Sequence, residues 1–94
     1  MPSNSTSMMF FYTYVLLSFK DNEYYIGYTN DLKRRIEEHN VGKNFSTKSR
    51  RPFKLIYFEA CLNEDDAKQR EKYFKSTIGR RFLSRRLQNW RKFS

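Results

Sequence analysis

The sequence predicts an α+β domain, a small and mainly antiparallel three-stranded sheet flanked by helices in the order ββαβαα. Three observations predict it. Residues 10–18 and 54–60 are runs rich in aromatic and β-branched side chains, which suit the pleated surface of a strand. Two later stretches carry apolar residues at helical spacing behind capping residues. At 94 residues the chain is long enough for one domain with one core.

The elements follow in order. Residues 10–18 form the first strand and 24–28 the second, joined by a turn at residues 20–23, where Asp21-Asn22 suits the tight central positions. Thr29 or Asn30 caps a helix over residues 31–40, and Gly42 stands just past its end. Residues 41–52 are polar and basic, a loop. Residues 54–60 form the third strand. Asn63 caps a second helix whose acidic first turn, Glu64, Asp65 and Asp66, complements the helix dipole. That helix is expected to stop near Ile78, before Gly79. A basic third helix over residues 81–90 places Leu83, Leu87 and Trp90 on one face. Residues 1–8 read as a flexible leader and residues 9–94 as the domain, with no repeat and no apolar run long enough to cross a bilayer.

The formal net charge is +9, and its distribution is uneven. Residues 72–94 hold eight Lys or Arg and no Asp or Glu. A second cluster holds Lys43, Lys48, Arg50, Arg51 and Lys54. Such surfaces attract polyanions, DNA or RNA, so Lys43, Lys48, Arg50, Arg51, Arg80, Arg81, Arg85 and Arg86 are the candidate phosphate contacts. A basic surface kept for solubility is the plainer account. The single cysteine, Cys61, excludes an internal disulfide framework. With no basic start to a secretory signal, the chain fits a cytoplasmic setting.

Several polar side chains fall on faces that ought to be apolar. Leu32 and Ile36 define the inward face of the first helix, and Arg35 and His39 complete the same stripe. On the second helix, Glu71 lies within the stripe of Ala67, Phe74 and Ile78. Burying a lone charge is expensive, so Glu71 must be paired, protonated or metal-bound. A salt bridge to Arg35 or Arg70 would serve. For Arg35 a pair with Asp31 is the alternative, and for His39 a half-exposed position near a helix end. In a hairpin centred on Asp21-Asn22, Ser18 faces Tyr25 and Tyr14 faces Thr29. Tyr14, Leu16, Ser18, Tyr25, Gly27 and Thr29 then share one face. Gly27 leaves room beside Tyr14 for backbone or ligand.

Tyr12-Thr13-Tyr14, followed by Tyr25-Ile26-Gly27, resembles the paired tyrosine motifs of the GIY-YIG nuclease superfamily. Arg35 stands ten residues after Tyr25, as that family's catalytic arginine does. His39 stands where some members carry a histidine or tyrosine, and Glu71 looks like the family's metal-binding glutamate. The resemblance covers residues 10–83. The stretches at 24–35, 46–48 and 51–52 look most like the small stand-alone branch, itself similar to the N-terminal incision domain of bacterial excinuclease C. Two departures stand out: Tyr28 replaces a basic residue common in relatives, and Leu83 falls where many carry an asparagine.

The resemblance implies a metal-dependent endonuclease hydrolysing phosphodiester bonds in DNA, in repair or recombination. Glu71 would hold Mg²⁺ or Mn²⁺, and Arg35 would clamp the phosphate. Tyr14 would take the proton from water, with Tyr25 positioning the water or a phosphate oxygen. A free tyrosine has a pKa near 10; Arg35 and a metal would lower it, and His39 would accept its proton. The alternatives are a binding module of the same fold and a non-enzymatic RNA-associated protein.

Overall fold

The structure, a computed structural model, describes residues 9–92. The expected leader, residues 1–8, lies outside the described residues. Strands β1 (Phe11–Ser18) and β2 (Tyr24–Thr29) are followed by helix α1 (Leu32–Asn40), strand β3 (Phe53–Cys61), helices α2 (Glu64–Phe74) and α3 (Thr77–Arg86), and the short α4 (Gln88–Lys92). The sheet order is β2-β1-β3, and both pairings are antiparallel. The α+β architecture is the one the sequence predicts.

The hairpin register is two residues away from expectation. Tyr14 faces Gly27 and Leu16 faces Tyr25. The turn sits earlier than residues 20–23: the Ser18 and Glu23 backbones pair at 3.0 Å, and the Asn22 N–H donates to the Ser18 carbonyl at 2.9 Å. Asn22 takes the left-handed conformation, φ 60°, which asparagine tolerates better than most residues. Because side chains alternate with a period of two, an even shift returns every residue to its expected face. Tyr14, Leu16, Tyr25 and Gly27 therefore still share one side of the sheet.

That alternation builds two half-cores. On one side Tyr14, Leu16 and Phe53 pack with Tyr25, Leu55 and the two anchors of α1, Leu32 and Ile36. On the other, Val15 and Ile26 pack with Phe74 of α2 and Leu83 of α3. The Thr13 hydroxyl donates to the Ala67 carbonyl at 2.8 Å and ties β1 to α2. Arg70 binds Glu59 of β3 with both arms of its fork, at 2.8 and 2.9 Å. The same guanidinium lies over the Tyr73 and Phe74 rings, 4.7 Å from each centroid. Arg70 is thus the partner of Glu59, and not of Glu71.

Several local expectations are corrected. Asp31, rather than Thr29 or Asn30, caps α1, its carboxylate accepting the Arg34 N–H at 3.2 Å. Helix α2 ends at Phe74, and Ser76 starts a new helix by accepting the Gly79 N–H at 3.1 Å. Gly79 is therefore inside α3. A Cβ there would stand 1.9 Å from the Tyr73 carbonyl oxygen, so glycine serves close approach between helices rather than helix termination. The break rotates Ile78 off the inward stripe, and it is 67% exposed. The third helix also begins before residue 81 and breaks at Leu87, where α4 follows.

Candidate active site

The β1–β2 hairpin supplies two tyrosines on the α1 side of the sheet, and α1 supplies Arg35 and His39 above them. Tyr14 is 1% exposed. Its ring lies across Gly27, where a Cβ would stand 2.5 Å from the hydroxyl oxygen. The hydroxyl meets His39 Nε2 at 3.0 Å. On the far side of the imidazole, Nδ1 meets the Thr47 hydroxyl at 2.9 Å. His39 is fully buried, so the half-exposed alternative is excluded. Its ring is boxed in by Tyr25, edge-on at 4.8 Å between centroids, and by Phe53 at 5.9 Å.

Proton positions follow from the partners. Nε2 is the acceptor within reach of the buried Tyr14 O–H, since Arg35, its other hydrogen-bonding partner, only donates. With Nε2 accepting, Nδ1 carries the hydrogen and donates to Thr47. The Thr47 hydroxyl in turn points at the Asn44 carbonyl, 3.4 Å away. The chain Tyr14–His39–Thr47–Asn44 runs in one direction, with its protons directed away from the Tyr14 oxygen.

The electrostatics favour neutral groups. Burial pushes the Tyr14 hydroxyl up to about 12, although Arg35 beside it pulls the other way. The expected lowering by Arg35 is thus present but outweighed. Burial, and then the Arg35 charge, lower the His39 pKa below its usual value, keeping the imidazole neutral at neutral pH. The Tyr14 hydroxyl is the largest influence raising the Arg35 pKa, and Glu38 adds to it. Arg35 Nη1 meets Glu38 at 3.2 Å. Asp31 instead engages Arg34, at 3.9 Å, so the Asp31 alternative for Arg35 does not hold.

Glu71 approaches from α2, close enough for its charge to act on Tyr14. Its side chain is 22% exposed and pairs with Lys75 at 2.9 Å. Neither Arg35 nor Arg70 is its partner. Among the described residues no group of three or more His, Cys, Asp or Glu side chains could hold a metal ion. A zinc-type cage is therefore not formed by them, since zinc needs several protein ligands. A single half-exposed carboxylate does fit a magnesium-type ion that keeps waters and takes substrate oxygens as ligands.

The basic candidates divide. Lys43 lines a hollow with Arg35, Glu38 and Asn44. Arg80, Arg81 and Arg85 line a groove along α3 with Thr77 and Ser84. Arg51 donates to the Lys48 carbonyl at 2.8 Å. Arg50 is occupied: it pairs with Asp21 at 2.6 Å and donates to the Glu23 and Tyr24 carbonyls at 3.3 Å each. It holds Asp21 down to about 2 and pins the loop to the hairpin. Arg86 interacts with the Tyr57 hydroxyl. Sequence alone assigns Thr47 no role, and its one signal is its place in the 46–48 stretch.

The sequence matches the GIY-YIG catalytic domain over residues 10–86. Similar proteins include the UPF0213 protein YazA of Bacillus subtilis, 46% identical over 71 residues, which are 74% of this chain and 69% of that one. A UPF0213 protein of Pediococcus pentosaceus is 50% identical over 66 residues, 69% of this chain and 68% of that one. The solution NMR structure of the UPF0213 protein BH0048 from Bacillus halodurans is similar, with 36% identity, a TM-score of 0.49 and coverage of 80% of this chain and 82% of that one. Among the described residues no helix is long and apolar enough to cross a membrane. With the match spanning most of the sequence, the chain belongs to the GIY-YIG family of nucleases.

Proposed function

We propose that this protein is a metal-dependent endonuclease that hydrolyses phosphodiester bonds in DNA at the Tyr14–Arg35–His39 cluster. The observation that carries the reading is the directed Tyr14–His39–Thr47 hydrogen-bond chain with Arg35 beside its open end. The Tyr14 oxygen accepts a proton from water as its own proton passes to Nε2 of neutral His39. Concerted transfer is required, because a hydroxyl held near 12 does not ionise alone at neutral pH. Arg35, its side chain 36% exposed, reaches the phosphate with its planar fork and offsets the charge that develops there. Tyr25 walls the imidazole and positions the water or a phosphate oxygen. Glu71 would hold a Mg²⁺ or Mn²⁺ ion, whose Lewis acidity would stabilise the phosphate oxygens and the leaving group. Lys43, Lys48, Arg51, Arg80, Arg81 and Arg85 supply phosphate contacts.

The alternative is a binding module of the same fold with little cleavage. The raised Tyr14 pKa and the Lys75 grip on Glu71 favour it. Incubating the protein with single-stranded, nicked and branched DNA, with Mg²⁺, Mn²⁺ or chelator, decides between them. Glu71→Gln should abolish cleavage and remove the rise in melting temperature that Mn²⁺ gives the wild type. The substitution breaks only an i,i+4 pair with a half-exposed lysine, so without metal it should cost no more than about 0.5 kcal/mol. Equal Mn²⁺ shifts in both proteins would refute the metal assignment. Metal-dependent cutting by neither protein would leave the binding module.

A further inference from the structure

The loop between α1 and β3 carries an aromatic side chain that has no part in the cleavage chemistry. Phe45 is 92% exposed and makes no ring contact among the described residues. Exposed Phe58, by comparison, packs against Tyr12 at 5.9 Å. The residues around Phe45 are firmly held. Asn44 Oδ1 accepts both the backbone N–H and the hydroxyl of Ser46, at 3.0 and 2.7 Å. The Lys43 N–H donates to the Glu38 carbonyl at 3.0 Å, and Thr47 is locked to His39. The ring therefore projects from a braced turn, and the residue before it, Asn44, lines a hollow with Arg35, Glu38 and Lys43. Lys43, Lys48 and Arg51 surround it in sequence.

We infer that Phe45 is a stacking platform for an unpaired base next to the phosphate held at Arg35, and that the substrate class is single-stranded or locally unpaired DNA. This rests on the reading of the site as a DNA-cleaving centre. An aromatic face among cations is the recurring design for gripping single strands: the cations hold phosphates, and the ring covers the face of any base. In intact duplex both faces of an internal base are already covered by its neighbours, so the ring has nothing to stack on. The contact is tolerant of sequence, because every base presents a π face.

The test measures binding in chelator, where no cleavage occurs. It compares labelled oligothymidine, an abasic strand of equal length and a blunt duplex. The abasic strand keeps the phosphates and removes the stacking faces. The wild type should bind oligothymidine about 5- to 150-fold tighter than the abasic strand, the range expected for one stacked base. Phe45→Ala and Phe45→Leu should lose most of that ratio while melting as the wild type does, since the ring packs against no other ring in the described fold. Phe45→Trp should keep it. An unchanged ratio in Phe45→Ala, or no preference in the wild type, overturns the inference. Cleavage is then assayed separately with Mn²⁺. Cutting without a Phe45-dependent ratio sinks this inference alone, and a Phe45-dependent ratio without cutting sinks only the nuclease reading.

Discussion

Gly27→Ala tests whether the contact between β2 and Tyr14 sets the geometry of the site. The added methyl would stand 2.5 Å from the Tyr14 hydroxyl oxygen and 2.7 Å from Cζ, against about 3.5 Å for a relaxed contact. The ring must therefore move by about 1 Å. The hydroxyl lies 3.0 Å from His39 Nε2, so a displacement of that size takes it to the edge of hydrogen-bonding range or past it. Overpacking a filled site costs about 1–3 kcal/mol, and an error of about 1 Å in a reacting group costs on the order of 10²-fold in rate. The assay pairs melting curves with initial cleavage rates on one preparation, using Tyr14→Phe as the reference. Phenylalanine keeps the ring over Gly27 and removes only the hydroxyl. The double variant should cleave no more slowly than Tyr14→Phe alone, since both changes act through one oxygen. Wild-type cleavage by Gly27→Ala, beside an inactive Tyr14→Phe, would refute the reasoning. So would multiplicative losses in the double variant.

Two further outcomes are expected. Gly79→Ala should destabilise by about 3 kcal/mol or more, because its Cβ meets backbone at 1.9 Å, which cannot swing aside; denaturant unfolding with a loss below about 1 kcal/mol would show that the α2–α3 approach is not tight. His39 has a folded-state pKa below 6.5, so the unfolded chain takes up its proton first. The stability from its neutral burial is complete above the unfolded pKa and is lost as pH falls from there through the folded pKa. The melting temperatures of wild type and His39→Gln should accordingly converge as pH falls below about 6.5, and a gap independent of pH would show that His39 keeps an ordinary pKa.

The fold was legible because its signals are local and periodic. Strand runs, the Asn63 cap and the Leu32–Ile36 spacing each specify an element without knowledge of its neighbours. The errors arose where a residue's reason is tertiary. Gly79 carries the usual mark of a helix end, yet it is glycine because Tyr73 leaves no room for a side chain. Ile78 fits the α2 stripe only if α2 continues, and the Ser76 cap ends that continuity. The hairpin register slipped by two because the turn's left-handed residue, Asn22, sits at its end rather than its centre. That error did not reach the site, since an even slip preserves the faces.

At the site, the misplaced polarity on α1 put Arg35 and His39 on the inward face, where His39 is buried and meets Tyr14, because a helix face is fixed by spacing alone. Partners were not fixed that way. Glu71 could be seen to need a cation, but Lys75 supplies it from one turn along the same helix. Charge counting could not separate Arg50, held by Asp21 and two carbonyls, from the cations on the α3 groove. Thr47 lies in an aperiodic loop, where sequence position says nothing of spatial position. Yet it is the residue that meets the far nitrogen of the imidazole. A Thr47 hydroxyl that donates to the Asn44 carbonyl is free to accept from Nδ1, which is compatible with a bare Nε2 facing the Tyr14 hydroxyl, the arrangement the proposed proton transfer needs. A Thr47 that donated instead would put the hydrogen on Nε2 and turn Tyr14 into an acceptor with nowhere to send its own proton. The proton route proposed for Tyr14 therefore rests on a loop threonine two contacts away, a contact that only the folding of the loop over the helix creates.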